Sequence, residues 1–428
     1  MITKPPLVSA AGKFFFGLAC LLAAGAAHAS EFQYTTPRGV YTVKVPGAAQ
    51  PGTPARTYVG IQLLPDMRLF GKVDGVSGNT VSFQGIFSHA QLATAGRTSY
   101  LHVLDGNGRG FITDIVEFRN ADIVCAEDLT PWMQWNAQVL IRPHPVLSDV
   151  LGAQNPFGLG SGPDAGSADN AVAWDADAQQ ERVYYFNSTR SRWEEKDIVA
   201  DAGNAIFRFP YGFYIVRRSP GTLRIALSGD VATQAVLLPV RPAANVFSLP
   251  VNLSGSLDAI VTASGPFAVQ SGPNANRSDV LTFEEPTTGL QRGPFYHLTR
   301  PGASGWREVG VDNSTAAIAP LDFLSTLVLH RDAPAGRVLV EGSLVPPAIP
   351  RPPLPPDPDA GEVPLTVEFP LPPHSNNSSD TLLTVEVSPD MQNWSVYQVT
   401  MSLNNVVTFD LPAGQTRAFY RLKLSLAF

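Results

Sequence analysis

The sequence predicts an all-β protein of several small sandwich or barrel modules, with an internal duplication and few short helices. Its 38 prolines and 36 glycines separate short runs rich in Val, Ile, Leu, Phe and Tyr. Sustained 3.6-residue periodicity is nearly absent, and short strands between turn residues are typical of all-β folds. Hydrophobic residues make up 44% of the chain, which is enough for two or three cores.

Residues 1–29 have the pattern of a cleavable secretory signal peptide. Two lysines precede an apolar or small run from Phe14 to Ala27. Small residues at the −3 and −1 positions predict cleavage between Ala29 and Ser30. The run is shorter than the roughly 20 residues of a spanning helix, so we predict no transmembrane anchor after cleavage. The predicted product is exported, to the periplasm, the cell surface or the medium.

Composition limits the partners and the bonds of the mature chain. The formal net charge is −7, and the predicted signal removes two lysines and no acids. Nucleic-acid binding normally requires a basic surface, and this composition predicts none. Cys125 is the one cysteine left after cleavage, so we predict no internal disulfide. The fold must therefore depend on burial of apolar residues.

Residues 30–152 form the first predicted module, an N-terminal β-domain. One strand is predicted over Thr57 to Leu64. Gly78-Asn79 lies between two apolar runs, which is typical of a tight hairpin. Residues 105–110 predict a further turn between strands. We expect a small barrel or sandwich here.

Residues 153–344 form a predicted duplicated β-domain, with copies at about 168–231 and 278–345. Three matched pairs stand 113 residues apart: Trp193 and Trp306, Arg218 and Arg331, Gly229 and Gly342. Three matches in one register indicate duplication rather than a solenoid, which would need at least three copies. A leucine- and serine-containing segment recurs at 147–151 and 253–257, and each is predicted to be a short helical turn.

Two further segments follow the duplication. Residues 345–361 are Pro-rich, which disfavours sheet pairing and predicts a stiff interdomain linker. Residues 362–428 contain alternating apolar runs and predict a small C-terminal β-sandwich module.

Several short motifs of the chain carry a resemblance to a known family. They are Tyr184-Tyr185, Trp193, Gly212 to Arg218, Thr36 to Tyr41, and Ile141 to Leu147. Over about residues 35–345 the chain resembles a family of exported proteins with multiple paralogues in verrucomicrobial bacteria. Residues 383–424 resemble a C-terminal β-module common in exported proteins of these bacteria. The second copy departs from the pattern, since Pro210 to Phe213 has no counterpart near Phe323. Neither resemblance implies an activity, a cofactor or a catalytic residue.

Several residue groups have the residue types of a chemical site, and each also has a structural interpretation. Glu194-Glu195 and Glu284-Glu285 suggest glycosidase carboxylates, but neighbours on a strand point to opposite faces. Ser161 has the wrong glycine spacing for a nucleophile elbow, which favours a flexible loop. Arg109 interrupts a calcium-like pattern beginning at Asp105, which favours a turn. No two histidines have metal-ligand spacing. We therefore predict no catalytic, cofactor or metal site.

Aromatic residues offer one candidate binding feature. Trp174, Trp193 and Trp306 could form a stacking platform for sugar rings. The alternative is that they are core residues, and the recurrence of one tryptophan in both copies favours the core.

These observations predict a non-enzymatic, exported, β-rich protein with a binding or structural role at the cell surface or in the envelope. Its expected partners are surface glycans or other envelope proteins. The alternative is an extracellular carbohydrate-binding or carbohydrate-active protein. Saturable glycan binding would distinguish the two interpretations.

Overall fold

The structure is a computed structural model of the chain. It describes residues 33–34, 37–83, 92, 97–119, 122–175, 178–231, 234–249, 257, 260, 268–285, 290–311, 326–340, 366–370, 381–388, 394–399, 406–410 and 417–426. The signal peptide with Ala29 and Ser30, the linker at 345–361, and Gly342 lie outside the described residues. The described part is mostly β-strand, which confirms the predicted fold class.

The strands are numbered along the chain. They are β1 (Gln33–Tyr34), β2 (Arg38–Val45), β3 (Ala55–Val59), β4 (Leu63–Leu64), β5 (Leu69–Ser77), β6 (Thr80–Phe83), β7 (Ser99–Val103), β8 (Ile112–Arg119), β9 (Asp122–Cys125), β10 (Gln138–Pro143), β11 (Asn170–Asp175), β12 (Gln180–Asn187), β13 (Arg192–Glu195), β14 (Phe213–Arg217), β15 (Leu223–Val231), β16 (Val236–Val240), β17 (Ala243–Ser248), β18 (Val280–Glu285), β19 (Leu290–Arg300), β20 (Ala303–Glu308), β21 (Thr326–Arg331), β22 (Gly336–Val340), β23 (Thr366–Pro370), β24 (Thr381–Ser388), β25 (Ser395–Val399), β26 (Val406–Asp410) and β27 (Arg417–Leu426). One short α-helix, α1, covers Leu147–Leu151 where a helical turn was predicted. No helix among the described residues has the length and apolar character to cross a bilayer.

A closed six-stranded barrel occupies the first part of the chain. Its strand order is β10-β5-β6-β9-β8-β7. The β5–β6 hairpin turns at Gly78, whose φ of +58° lies in the left-handed region, so the predicted hairpin is confirmed. Alternate side chains such as Leu101, Val103 and Ile141 fill the barrel interior. Cys125 is also buried there as a free thiol.

The predicted first module does not coincide with the barrel. Strands β2, β3 and β4 precede it in sequence but pair with strands of other sheets. The strand predicted over Thr57 to Leu64 is two strands, β3 and β4, which belong to different sheets. Barrel closure needs β5 to β10 alone, so the earlier strands are free to pair elsewhere.

A seven-stranded sheet joins the two ends of the described chain. Its order is β25-β24-β27-β2-β15-β4, with β1 also paired to β27. Strands β24, β25 and β27 come from the segment predicted as a separate C-terminal module, whereas β23 and β26 form a two-stranded sheet of their own. At the centre of the seven-stranded sheet, Val40 of β2 is opposite Ala418 of β27.

Two five-stranded sheets have the same arrangement of strands. The first has the order β13-β12-β11-β14-β3, and the second has β20-β19-β18-β21-β17. Strands β16 and β22 form a separate pair. The matching order fits an internal duplication, which stays a prediction. One hydrophobic core runs beneath both five-stranded sheets and the seven-stranded sheet, and includes Tyr41, Phe213, Phe283 and Phe419.

Candidate functional site

A cleft of about 490 Å³ opens at one end of the first five-stranded sheet. Its floor includes Ala173 of β11 and Tyr184 of β12, and its far wall is the segment 198–208 between β13 and β14. A volume of this size is within the range of small-ligand sites.

The far wall of the cleft is fixed to the rest of the fold. The N–H groups of Leu147 and Ser148 donate to the carbonyls of Ala205 and Gly203, each at 2.9 Å. The Nε of Arg208 lies 3.2 Å from Asp114 Oδ2 on the barrel. The wall is therefore held by the start of α1 and by the barrel, which makes the cleft a preformed feature.

Arg182 is the central polar group of the cleft. Its Nε donates to Glu195 Oε1 at 2.8 Å, and a second hydrogen bond joins the same two side chains. Its Nη1 lies 3.5 Å from Asp175 Oδ2. The hydrogen bonds from Arg182 to Glu195 raise the pKa of the guanidinium, which stays fully charged. The arrangement presents one cation between two carboxylates.

Glu194 is adjacent to Glu195 but serves a different role. Its carboxylate is buried and accepts hydrogen bonds from Tyr185 Oη (3.2 Å), Asn187 Nδ2 (2.9 Å) and Arg190 Nη1 (2.9 Å). Burial alone would raise the pKa of Glu194, but hydrogen bonds and nearby guanidinium groups outweigh it and lower the pKa. The two neighbouring glutamates point to opposite faces of β13, as alternation requires, and do not form a facing pair.

The second pair of adjacent glutamates is also separated. Glu285 Oε1 accepts a 2.6 Å hydrogen bond from Arg292. Glu284 is buried where the two five-stranded sheets meet, and accepts a 3.2 Å hydrogen bond from the N–H of Tyr58. Burial raises the pKa of Glu284 to about 7. These glutamates support the sheets and do not line the cleft.

The three candidate tryptophans do not form a stacking platform. Trp193 and Trp306 are buried in the main core, with 1% and 6% of their surface exposed. Trp193 Nε1 also donates to Gly152 O at 2.7 Å. Trp174 is half-buried, and the Arg241 guanidinium covers one ring face at 3.2 Å from the centroid. The core interpretation therefore holds for Trp193 and Trp306, and the residue near the cleft is Trp174.

The remaining sequence candidates have structural contacts. Asp105 Oδ1 accepts the N–H of Gln138 at 2.9 Å beside a 3₁₀ turn. The loop carrying Ser161 is held by Asn155, whose side chain bonds both the N–H and the carbonyl of Leu159. These contacts give Asp105 and the loop around Ser161 structural roles.

Two of the histidines, His102 and His144, are buried among protein contacts. His144 Nε2 lies 2.9 Å from Asp114 Oδ1, and Phe209 N–H donates to Nδ1. Burial lowers the pKa of His102 to about 4. Across the described ranges, no three His, Cys, Asp or Glu side chains form a metal-binding group. His89 and His374 lie outside those ranges.

Two buried ion pairs were not found by sequence reasoning. Arg217 Nε lies 2.8 Å from Asp169 Oδ2, although at an angle that does not meet hydrogen-bond geometry. In the second sheet Arg331 Nε donates to Asp279 Oδ1 at 2.8 Å. The register thus makes Arg217, not Arg218, the counterpart of Arg331.

A sequence signal for these ion pairs exists. Ser-Gly-Pro stands at 161–163 and again at 271–273, and each copy is followed by an aspartate at the same spacing. This recurrence could have identified Asp169 and Asp279 as equivalent positions.

The chain matches no known protein family, no curated protein and no solved structure.

Proposed function

We propose that the chain is a non-enzymatic, exported, β-rich binding protein that acts at the cell surface or in the envelope. The observation that carries this proposal is the preformed cleft at the end of the first five-stranded sheet. Three of the four glutamates that the sequence suggested have contacts outside the cleft: Glu194 and Glu285 bind arginine side chains, and Glu284 accepts a backbone hydrogen bond. Membership of the verrucomicrobial family of exported proteins is part of the same proposal, and the resemblance of the short motifs to that family is its support.

A carbohydrate-active enzyme is the second candidate. Asp175 and Glu195 both line the cleft, so two carboxylates could face one substrate. Both, however, contact the same guanidinium. A glycosidase needs one carboxyl group that carries a proton beside one that does not, and a shared arginine stabilises the charged form of both. This arrangement favours binding over hydrolysis.

Fractionation and ligand screening test the proposal. The full-length gene is expressed in its own host or in a related bacterium, the protein is located by immunoblot, and its N-terminus is sequenced. We expect export and a mature start at Ser30. The purified mature chain is then screened against soluble glycans and envelope extracts, with product analysis for released sugars. Retention in the cytoplasm, or turnover of a glycan, would overturn the proposal.

A further inference from the structure

An arginine–carboxylate pair recurs at equivalent positions of the two five-stranded sheets. Arg182 is opposite Ala173 in the β11–β12 hairpin and contacts Asp175. Arg292 is opposite Phe283 in the β18–β19 hairpin and contacts Glu285. Both sheets therefore contain this arginine–carboxylate pair. Its presence does not explain why a cleft opens in the first sheet.

The two sheets differ in the side chain beside this ion pair. Ala173 is buried with part of its surface lining the cleft, whereas its counterpart Phe283 is fully buried in the same core. A methyl group thus stands in the first sheet where a phenyl ring stands in the second. The small side chain leaves the space next to Arg182 open.

The lining of this space combines apolar and polar surface. Small and branched apolar residues contributed by the far wall are Ile198, Ala200, Ala202, Ala205 and Ile206. The polar groups are two guanidiniums, three carboxylates and one amide, from Arg182, Arg208, Asp175, Glu195, Asp201 and Asn204. The formal charge of the lining is close to balanced, so neither a strong anion nor a strong cation is favoured.

A polyhydroxylated neutral ligand fits this donor and acceptor set. Each hydroxyl group can donate to a carboxylate and accept from a guanidinium or an amide. Neighbouring hydroxyls match the paired nitrogens of arginine and the paired oxygens of a carboxylate, and charged partners strengthen such hydrogen bonds. The C–H faces of a sugar ring suit the apolar wall.

We infer that the cleft binds a neutral saccharide about one or two rings long, with Ala173 providing the space and Arg182 with its two carboxylates binding the hydroxyl groups. This inference rests on the proposed binding function and names the ligand class for that site.

The test uses the mature full chain and isothermal titration calorimetry. The neutral probes are cellobiose, maltose, mannobiose, xylobiose and lactose, and the acidic probe is digalacturonate. Ala173→Phe fills the cleft with a side chain that the equivalent position of the second sheet accommodates. Arg182→Gln removes the central guanidinium. We expect at least one neutral probe to bind and each variant to weaken its binding at least tenfold.

Arg292→Gln is the matched control. It removes the equivalent arginine–carboxylate pair of the second sheet and leaves the cleft lining unchanged. We expect wild-type binding from this variant. Thermal unfolding and circular dichroism of all three variants separate lost binding from lost folding. If Arg182→Gln does not fold, Asn204→Ala replaces it, since Asn204 is an exposed cleft residue.

The outcomes separate this inference from the proposed function. Neutral-saccharide binding that is lost in Ala173→Phe and kept in Arg292→Gln supports both. Binding of digalacturonate alone, or of another ligand from the envelope screen, lost in Ala173→Phe, overturns the neutral-saccharide inference but leaves the binding function. Saccharide binding that Ala173→Phe does not affect places the ligand elsewhere and overturns the inference. If no ligand binds in any assay, the proposed binding function fails as well.

Discussion

Glu284 is a buried carboxylate with no basic partner among the described residues. On the neighbouring strands it is flanked by Gln291 and Thr326, and from β3 it receives the N–H of Tyr58. Arg56 lies two residues before Tyr58 on β3, and its guanidinium contacts Tyr58 Oη and the Tyr214 ring instead of Glu284. A buried acid without a compensating charge favours its protonated form. The folded protein therefore holds a proton here that the unfolded chain releases at lower pH.

We predict that Glu284→Gln stabilises the protein at alkaline pH. Below pH 4.5 both the folded and unfolded wild-type chains are protonated at this site, and the variant has little effect. Between pH 4.5 and about 7 the unfolded chain ionises first, so wild-type stability falls as the pH rises. Above that window the loss is on the order of 3 kcal/mol, which the neutral amide recovers.

Urea unfolding at pH 4, 6 and 8 measures this effect. The control is Glu117→Gln, which changes an exposed carboxylate paired with Arg119. Equal stabilisation by Glu284→Gln at all three pH values would contradict the assignment, because the gain should grow with pH.

At the residue scale, alternation along a strand was the informative signal. It correctly separated Glu194 from Glu195, because neighbours in an extended strand project to opposite faces. It could not identify Arg182 as the group between Asp175 and Glu195. That contact crosses strands, so it depends on which strands pair and in which register.

The outer edge of β3 shows how a single element is stabilised. This strand pairs with β14 on one side, and side chains from the second sheet approach the other side. Gly60 N–H donates to Thr326 Oγ1 at 2.7 Å, and Ile61 N–H donates to Ser248 Oγ at 2.6 Å. An unpaired strand edge is a site for aggregation. The carboxylate of Glu284 accepts the N–H of Tyr58 on β3, and the two hydroxyl groups bind the residues that directly follow the strand, without a further strand.

We predict that Thr326→Val destabilises the protein by about 1–3 kcal/mol. Valine has nearly the same shape but leaves the buried N–H of Gly60 without an acceptor. The measurement is the free energy of unfolding in urea. Thr189→Val, at an exposed position, is the control and should have little effect. A change in Thr326→Val no larger than in the control would show that water satisfies the Gly60 N–H.

At this scale the sequence predicted turns better than strand ends. The β5–β6 hairpin was predicted because glycine and asparagine suit a left-handed turn. The break between β3 and β4 was missed, since the apolar run continues through it. The N–H groups of Gly60 and Ile61 donate to side chains of the second sheet and not to a neighbouring strand. The chain therefore leaves the first sheet at this point.

At the scale of the whole molecule, strand pairing joins the N-terminal and C-terminal segments of the described chain. Strand β2 lies between β15 and β27, so the segment after the linker completes a sheet begun near residue 38. Phe419 is fully buried in the main core and lies opposite Gly39 of β2. The C-terminal segment is thus a structural part of the molecule, not an independent module.

We predict that residues 30–344 and 362–428, expressed as separate chains in one cell, assemble into a stable complex. The strand pairing of β2 with β27 and the burial of Phe419 supply the attraction. Affinity purification through a tag on the shorter piece measures the association. Phe419→Asp in the tagged piece is the control and should abolish it, because a charge would enter the core. Two pieces that fold and purify separately would contradict this closure.

The sequence by itself determined the β class, the position of the β5–β6 hairpin and the opposite orientation of adjacent glutamates. These features depend on apolar alternation and turn residues, which are set by amino acids close together in the sequence. The tertiary structure decided the partners of β2, the barrel boundaries and the cleft beside Arg182. Every strand edge offers the same N–H and C=O groups, so pairing between distant strands depends on which apolar faces are buried together in the folded chain.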